Sequence, residues 1–191
     1  MARRPPERNA LTRWTPMSQT PFLAAIEKIT AGGLPLEELL AAAGRLEPDQ
    51  ARQLYQVWIS FNKTHPLLFI AHFNCSTLLQ QIGDEQGGEA ELRASLALKP
   101  DFAPAGINLG SSLERQGKVN EAIDQWRGAL DLMSAVTADS INYKVTLLKQ
   151  ISRVLSDSHQ LAAAEVALTQ CLELAPDARD VAEQFVAARL S

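Results

Sequence analysis

Residues 103–133 read APAGINLGSSLERQGKVNEAIDQWRGALDLM, and their spacing decides the fold. Leu109 and Leu113 stand four apart, and Ala122, Trp126, Ala129 and Leu130 recur in steps of three and four. That is the period of one helix face, written twice. Gly117 lies between the two runs and lets the chain leave the first helix with a positive φ. Small residues at Gly110, Ala122 and Ala129 let two antiparallel helices approach closely. Trp126 and Leu130 fill the space beside them. A single pair of this kind leaves an apolar face that only a stacked neighbour can bury.

Working outward, the pair repeats. Pro66 and Pro100 are 34 residues apart, and Pro100 to Pro176 is 76, which is two such periods plus eight. Proline at this place cannot continue a helix and ends it. A second copy, 69–102, carries Asn74, Cys75, Ser76, Gly83, Gly88, Leu92, Ser95 and Pro100 in register. A third, 145–178, carries Gln150, Ile151, Ser152, Ala164, Leu168, Cys171 and Pro176. A degenerate copy, 35–68, fits through Ala51, Leu54, Tyr55, Trp58 and Phe61. The middle copy, 103–136, has Ser134 where its neighbours have proline, and eight extra residues, 137–144, follow it. The two departures belong together. Without the stop, one or both flanking helices run on, and two turns of helix take about eight residues and ~12 Å. Residues 179–190 read as a helix capping the last pair, with Asp177 at its amino end and Val181, Phe185 and Leu190 as an apolar face open to a homo-oligomeric contact.

Composition agrees. Ala (28) and Leu (27) together far outnumber Val (8) and Ile (9), which favours helix over sheet. Hydrophobic residues at 46% and charged residues at 21% describe a globular chain. A net charge of −4 argues against nucleic acid as a partner. No apolar run is long enough to span a bilayer. Two cysteines make neither a disulfide framework nor a zinc site. Residues 1–21 stand apart, with Pro5, Pro6, Pro16 and Pro21, and with Arg3, Arg4, Arg8 and Arg13 against Glu7 alone. They read as a disordered basic leader ahead of a helical domain, 22–191. No apolar stretch follows the arginines, so no signal peptide is read and a cytoplasmic location is expected. Met17 is an alternative start.

Candidate chemistry is sparse. GSSLERQGK at 110–118 has six residues between its glycines, no preceding strand and no hydroxyl after the lysine, which fails as a phosphate loop. His65 and His72 lack a third metal ligand. Cys75 and Cys171 fall at inward positions and read as buried thiols. His159 takes the turn position that glycine holds in the other copies. Neither a catalytic, a metal nor a cofactor site is expected.

The register resembles the tetratricopeptide family. Asn108, Leu109 and Gly110 match its positions 6, 7 and 8, Gly117 its position 15, and Ala122, Trp126 and Ala129 its positions 20, 24 and 27. The usual aromatic at position 4 is replaced by His72, Gly106 and Leu148, while position 11 is Leu79, Leu113 and Leu155. The resemblance implies an all-α, right-handed solenoid of antiparallel helix pairs, about three to four repeats and a cap. Longer phrases, LKPDFAPAGINLGSSLERQGKVNEAIDQWRGAL, YKVTLLKQISRVL and DVAEQFVAARL, are similar to the amino-terminal repeats of bacterial SPINDLY-type O-linked N-acetylglucosaminyltransferases. In that family a two-lobed glycosyltransferase region follows. No stretch here corresponds to it, so no catalytic residue carries over and the chain is not read as an enzyme.

The resemblance also implies a binding surface. In such repeats the first helix of each pair lines a concave groove that holds extended polypeptide. Mapped here, the candidates are Phe73, Asn74, Thr77 and Gln81, then Ile107, Asn108, Ser111 and Arg115, then Lys149, Gln150 and Arg153. Position 6 is an amide in every copy: Asn74, Asn108 and Gln150. An amide pairs with a peptide N–H and C=O together, and transferases of this kind carry such an asparagine row. The alternative is that Asn74 and Asn108 merely bond neighbouring turns. A carboxylate clamp for chaperone tails is rejected, because Ile70, Pro104, Thr146 and Gln150 supply no base where it needs one. The expected function is a protein-interaction module, as the non-catalytic recognition or dimerisation region of an O-linked N-acetylglucosaminyltransferase-like protein, or else a stand-alone adaptor unrelated to glycosylation.

Overall fold

The computed structural model describes residues 20–133, 137–177 and 183. Within them run nine helices: α1 Pro21–Thr30, α2 Leu36–Ala43, α3 Pro48–Phe61, α4 Leu68–Gln81, α5 Glu85–Leu98, α6 Ala103–Arg115, α7 Val119–Leu132, α8 Ala138–Asp157 and α9 Leu161–Leu174. No strand occurs among the described residues. The basic leader before residue 20 and the cap at 179–190, with Val181, Phe185 and Leu190, lie outside the described residues.

Helices α4–α5, α6–α7 and α8–α9 are the three expected pairs, and α2–α3 is the degenerate one. Each second helix packs on the first helix of the next pair: α3 on α4, α5 on α6, α7 on α8. Helices α6 and α8 also touch directly, so these two first helices lie side by side. Helix α1 belongs to no repeat; it lies against α2 and α3 and buries Ala25 and Ile29.

One turn closes all three full pairs. The backbone N–H groups of Asp84, Lys118 and Gln160 donate to the carbonyls of Leu79, Leu113 and Leu155 at 2.9, 2.9 and 2.8 Å. Such a bond needs a left-handed residue just before the donor. Gly83 (φ 83°) and Gly117 (φ 76°) supply it, and His159 adopts φ 57° in the third turn, exposed as its position implied.

The inserted residues 137–144 go almost wholly to α8. Helix α7 stops at Leu132, and α8 runs for 20 residues against 13 or 14 for α3–α7 and α9. A reciprocal cap starts it: Ser140 N–H donates to Thr137 Oγ1 at 3.1 Å and Thr137 N–H to Ser140 Oγ at 2.8 Å.

Candidate functional site

The expected groove residues sit on α4, α6 and α8, and the structure sorts them into three kinds. The first kind turns inward. Phe73 is half-buried with its ring edge-on to Phe102, centroids 5.3 Å apart, and Ile107 packs against the same core. The second kind is paired. Arg115 makes a two-pronged bond to Glu85 at the start of α5, both contacts 3.0 Å. Arg153 on α8 reaches Glu114 on α6 at 2.7 Å, meets Asp157 at 3.5 Å and donates to the side-chain amide oxygen (Oε1) of Gln150 at 3.0 Å, so the third amide of the row is engaged. Thr77 donates to the Phe73 carbonyl of its own helix at 3.2 Å.

The third kind is open. The side-chain amides of Asn74 and Asn108 are half-buried and make no hydrogen bond among the described residues. Asn74 and Thr77 line a cleft of about 200 Å³ together with Leu40 of α2, Gly44 just past its end and Tyr55 of α3. Ser111 is half-buried and Gln81 exposed. Lys149 is not of this open kind: it is half-buried and engaged, and its carbonyl accepts from Ser152 at 3.0 Å. The amide of Gln80, one residue before Gln81, is buried at Nε2 without a partner.

The groups with reactive side chains are tied into the fold. Burial, helped by the Glu91 carboxylate, pushes the Cys75 thiol up to about 12, although Arg52 pulls the other way. Cys75 and Cys171 are both buried and not disulfide-bonded, and the Cys171 thiol donates to the Val145 carbonyl at 4.0 Å. His72 pairs with Glu91 at 2.5 Å between α4 and α5. His65 sits elsewhere, edge-on to Trp58 with centroids 5.1 Å apart. Among the described residues no three His, Cys, Asp or Glu side chains come together as a metal site.

Sequence reading missed a polar clasp between the second and third pairs. Glu85 accepts from Ser112 and Arg115 at 3.0 Å, and Glu89 from Gln116 at 2.8 Å and Lys118 at 3.2 Å. The Arg115 hydrogen bond holds the Glu85 carboxyl below its ordinary value. For Glu89, the Gln116 hydrogen bond leads, with Arg93 and Lys118 adding, and its pKa falls to about 2. A signal existed: both acids stand a few residues short of one period before their partners.

No protein-family model and no curated protein matches the sequence. Solved structures do match. The crystal structure of MamA aligns with a TM-score of 0.62 at 16% identity, over 80% of this chain and 85% of that one. PilF of Pseudomonas aeruginosa aligns with a TM-score of 0.61 at 17% identity, over 86% of this chain and 69% of that one. At such identities the likeness is one of fold. The chain is a tetratricopeptide-type helical solenoid, as the 34-residue period indicated. No helix among the described residues is long and apolar enough to cross a membrane.

Proposed function

We propose that this chain is a protein-interaction module that holds extended polypeptide along α4, α6 and α8. The observation that carries the reading is the pair of unpartnered amides, Asn74 and Asn108, at the same position of consecutive repeats. A half-buried amide that no neighbour satisfies is suited to a ligand offering both a donor and an acceptor, and peptide backbone does so at every residue. Such a row grips backbone without demanding a sequence. No catalysis is assigned to the chain. Its phrase-level resemblance supports the finer reading that the module is the recognition or dimerisation part of an O-linked N-acetylglucosaminyltransferase-like protein of the cytoplasm, with the apolar face at Val181, Phe185 and Leu190 as the dimer contact.

The second reading is a stand-alone adaptor. It is supported by the tetratricopeptide-type fold, which the helical solenoid shares with MamA and which carries no need of an attached transferase. The mass of the native polypeptide separates the two: a product near 20.9 kDa fits the adaptor, and a much larger one the transferase.

The groove itself is tested by Asn74→Ala combined with Asn108→Ala, using several unrelated 12-residue unstructured peptides and fluorescence anisotropy. Taking about 1 kcal/mol for each amide removed, the double variant should bind every peptide roughly thirty-fold more weakly. Unchanged affinity in a folded double variant would remove the amides from the mechanism.

A further inference from the structure

The inserted residues 137–144 do more than lengthen α8. They form one wall of a cavity of about 300 Å³ at the end of the groove. Thr137, Asp139, Ser140 and Tyr143 face the end of α7, at Leu132 and Met133, and the start of α6, at Phe102 and Pro104. Pro104 is itself a groove position. The repeat provides an internal control. Leu98 and Leu132 hold the same place in successive copies and are 51% and 50% exposed. Beside Leu98 the chain passes straight into α6, whereas beside Leu132 two extra turns of α8 flank an open pocket.

The lining specifies the occupant. The floor is apolar: Leu132, Met133 and Phe102. The Asp139 carboxylate has no hydrogen-bond or ion-pair partner among the described residues, whereas Asp101 across the pocket is held by Lys99 at 2.9 Å. Tyr143 follows Asp139 by one helical turn and so lies on the same side of α8. An open apolar surface beside an unpaired carboxylate and an aromatic ring fits a long aliphatic stem with a cationic head. The surrounding chain, 22–191, carries a net −7 and favours the same sign of partner.

We propose that this pocket anchors a lysine or arginine side chain of a partner polypeptide whose backbone lies in the groove. The proposal rests on the groove reading above and adds a side-chain preference to it. The backbone amides give affinity without sequence, and the insertion gives one basic residue a fixed register.

The test uses the full chain and two 12-residue peptides, one alternating serine with lysine and one alternating serine with norleucine, which keeps the stem and removes the charge. Wild type should prefer the lysine peptide about ten-fold. Asp139→Asn should erase most of that preference and leave the norleucine peptide unaffected. Tyr143→Leu should reduce it several-fold. Asp124→Asn, an equal loss of charge on exposed α7 surface, should change it less than two-fold. The Asn74→Ala, Asn108→Ala variant should weaken both peptides alike. A preference that survives Asp139→Asn, or that Asp124→Asn reduces as much, overturns the anchor while the groove stands. If wild type binds neither peptide, the groove reading fails and the anchor with it. A ten-fold gain in lysine-peptide affinity on replacing Arg3, Arg4, Arg8 and Arg13 by serine would give the pocket to the protein's own leader and overturn a partner as its occupant.

Discussion

The carbonyl at the fifth position of each full copy takes an extra donor, and which donor depends on one residue. Where position 8 is serine, the hydroxyl bonds back: Ser76 to Phe73 at 2.6 Å and Ser152 to Lys149 at 3.0 Å. In the middle copy position 8 is Gly110, and the Trp126 indole N–H reaches the Ile107 carbonyl instead, at 3.1 Å. Glycine is what admits the indole, since a Cβ there would overlap the ring. Gly128 is the contrast, a helical glycine whose added Cβ would meet nothing within 4 Å. Gly110→Ala should therefore destabilise by about 1–3 kcal/mol, because the fully buried Trp126 cannot step aside. Gly128→Ala should stabilise by about 0.5–1 kcal/mol through helix propensity alone. Paired thermal melts check this, and a gain for both would mean that the indole moves freely.

Between elements, the seams differ in chemistry. The second and third pairs are joined by Glu85 and Glu89 of α5 against Ser112, Arg115, Gln116 and Lys118. At the next seam the positions of those acids hold Val119 and Ile123, which pack into the apolar core, and the polar link is instead the Arg153–Glu114 ion pair between α8 and α6. The polar clasp makes stability depend on pH. A carboxyl held near 2 in the fold, against an ordinary 4.5, stabilises fully above 4.5 and loses that contribution as pH falls toward 2. Glu89→Gln should lower the melting temperature at pH 7, and its difference from wild type should shrink between pH 4.5 and 2. A difference constant across that range would show that Glu89 acts through packing. Legibility from sequence follows the same divide. Positions within one pair, such as Gly117, Trp126 and the left-handed His159, were readable because local spacing sets them. The clasp was harder to read, because its partners lie 27 to 30 residues apart and meet only when pairs stack, so its one signal is a spacing just short of the period. Helix α1 carries no repeat signature, so nothing in the period announced it. Register placed the groove candidates on α4, α6 and α8, yet register alone could not tell that Phe73 turns toward Phe102 or that Arg115 and Arg153 are paired.

Across the whole molecule the apolar core divides in two, and the division falls inside the pair α4–α5. One cluster joins α1–α4, through Ile29, Leu39, Leu54, Trp58 and Leu79, and the other runs from Leu92 of α5 through Trp126 to Leu168 and Cys171 of α9. Helices α4 and α5 meet through small buried residues, Ser76, Gly88 and Ser95, with the Ser95 hydroxyl donating to the Phe69 carbonyl at 2.8 Å. Close backbone approach leaves little apolar area there to couple the halves, apart from the Phe69 and Phe73 rings against Phe102. Each cluster has a fully buried tryptophan whose N–H is satisfied, Trp58 by the Leu34 carbonyl at 2.9 Å and Trp126 by that of Ile107. In a solenoid the stability of each pair is its own plus that of its nearest seams. Trp126→Ala should cost about 3–5 kcal/mol, a large share of the ~5–15 kcal/mol that holds a domain. Its effect should be confined to one side. Hydrogen exchange should speed up in α6–α9 while α1–α3 keep their protection, and Trp58→Ala should give the mirror image. If either variant instead loosens all nine described helices equally, the two clusters fold as one unit and the small-residue seam transmits as well as an apolar one.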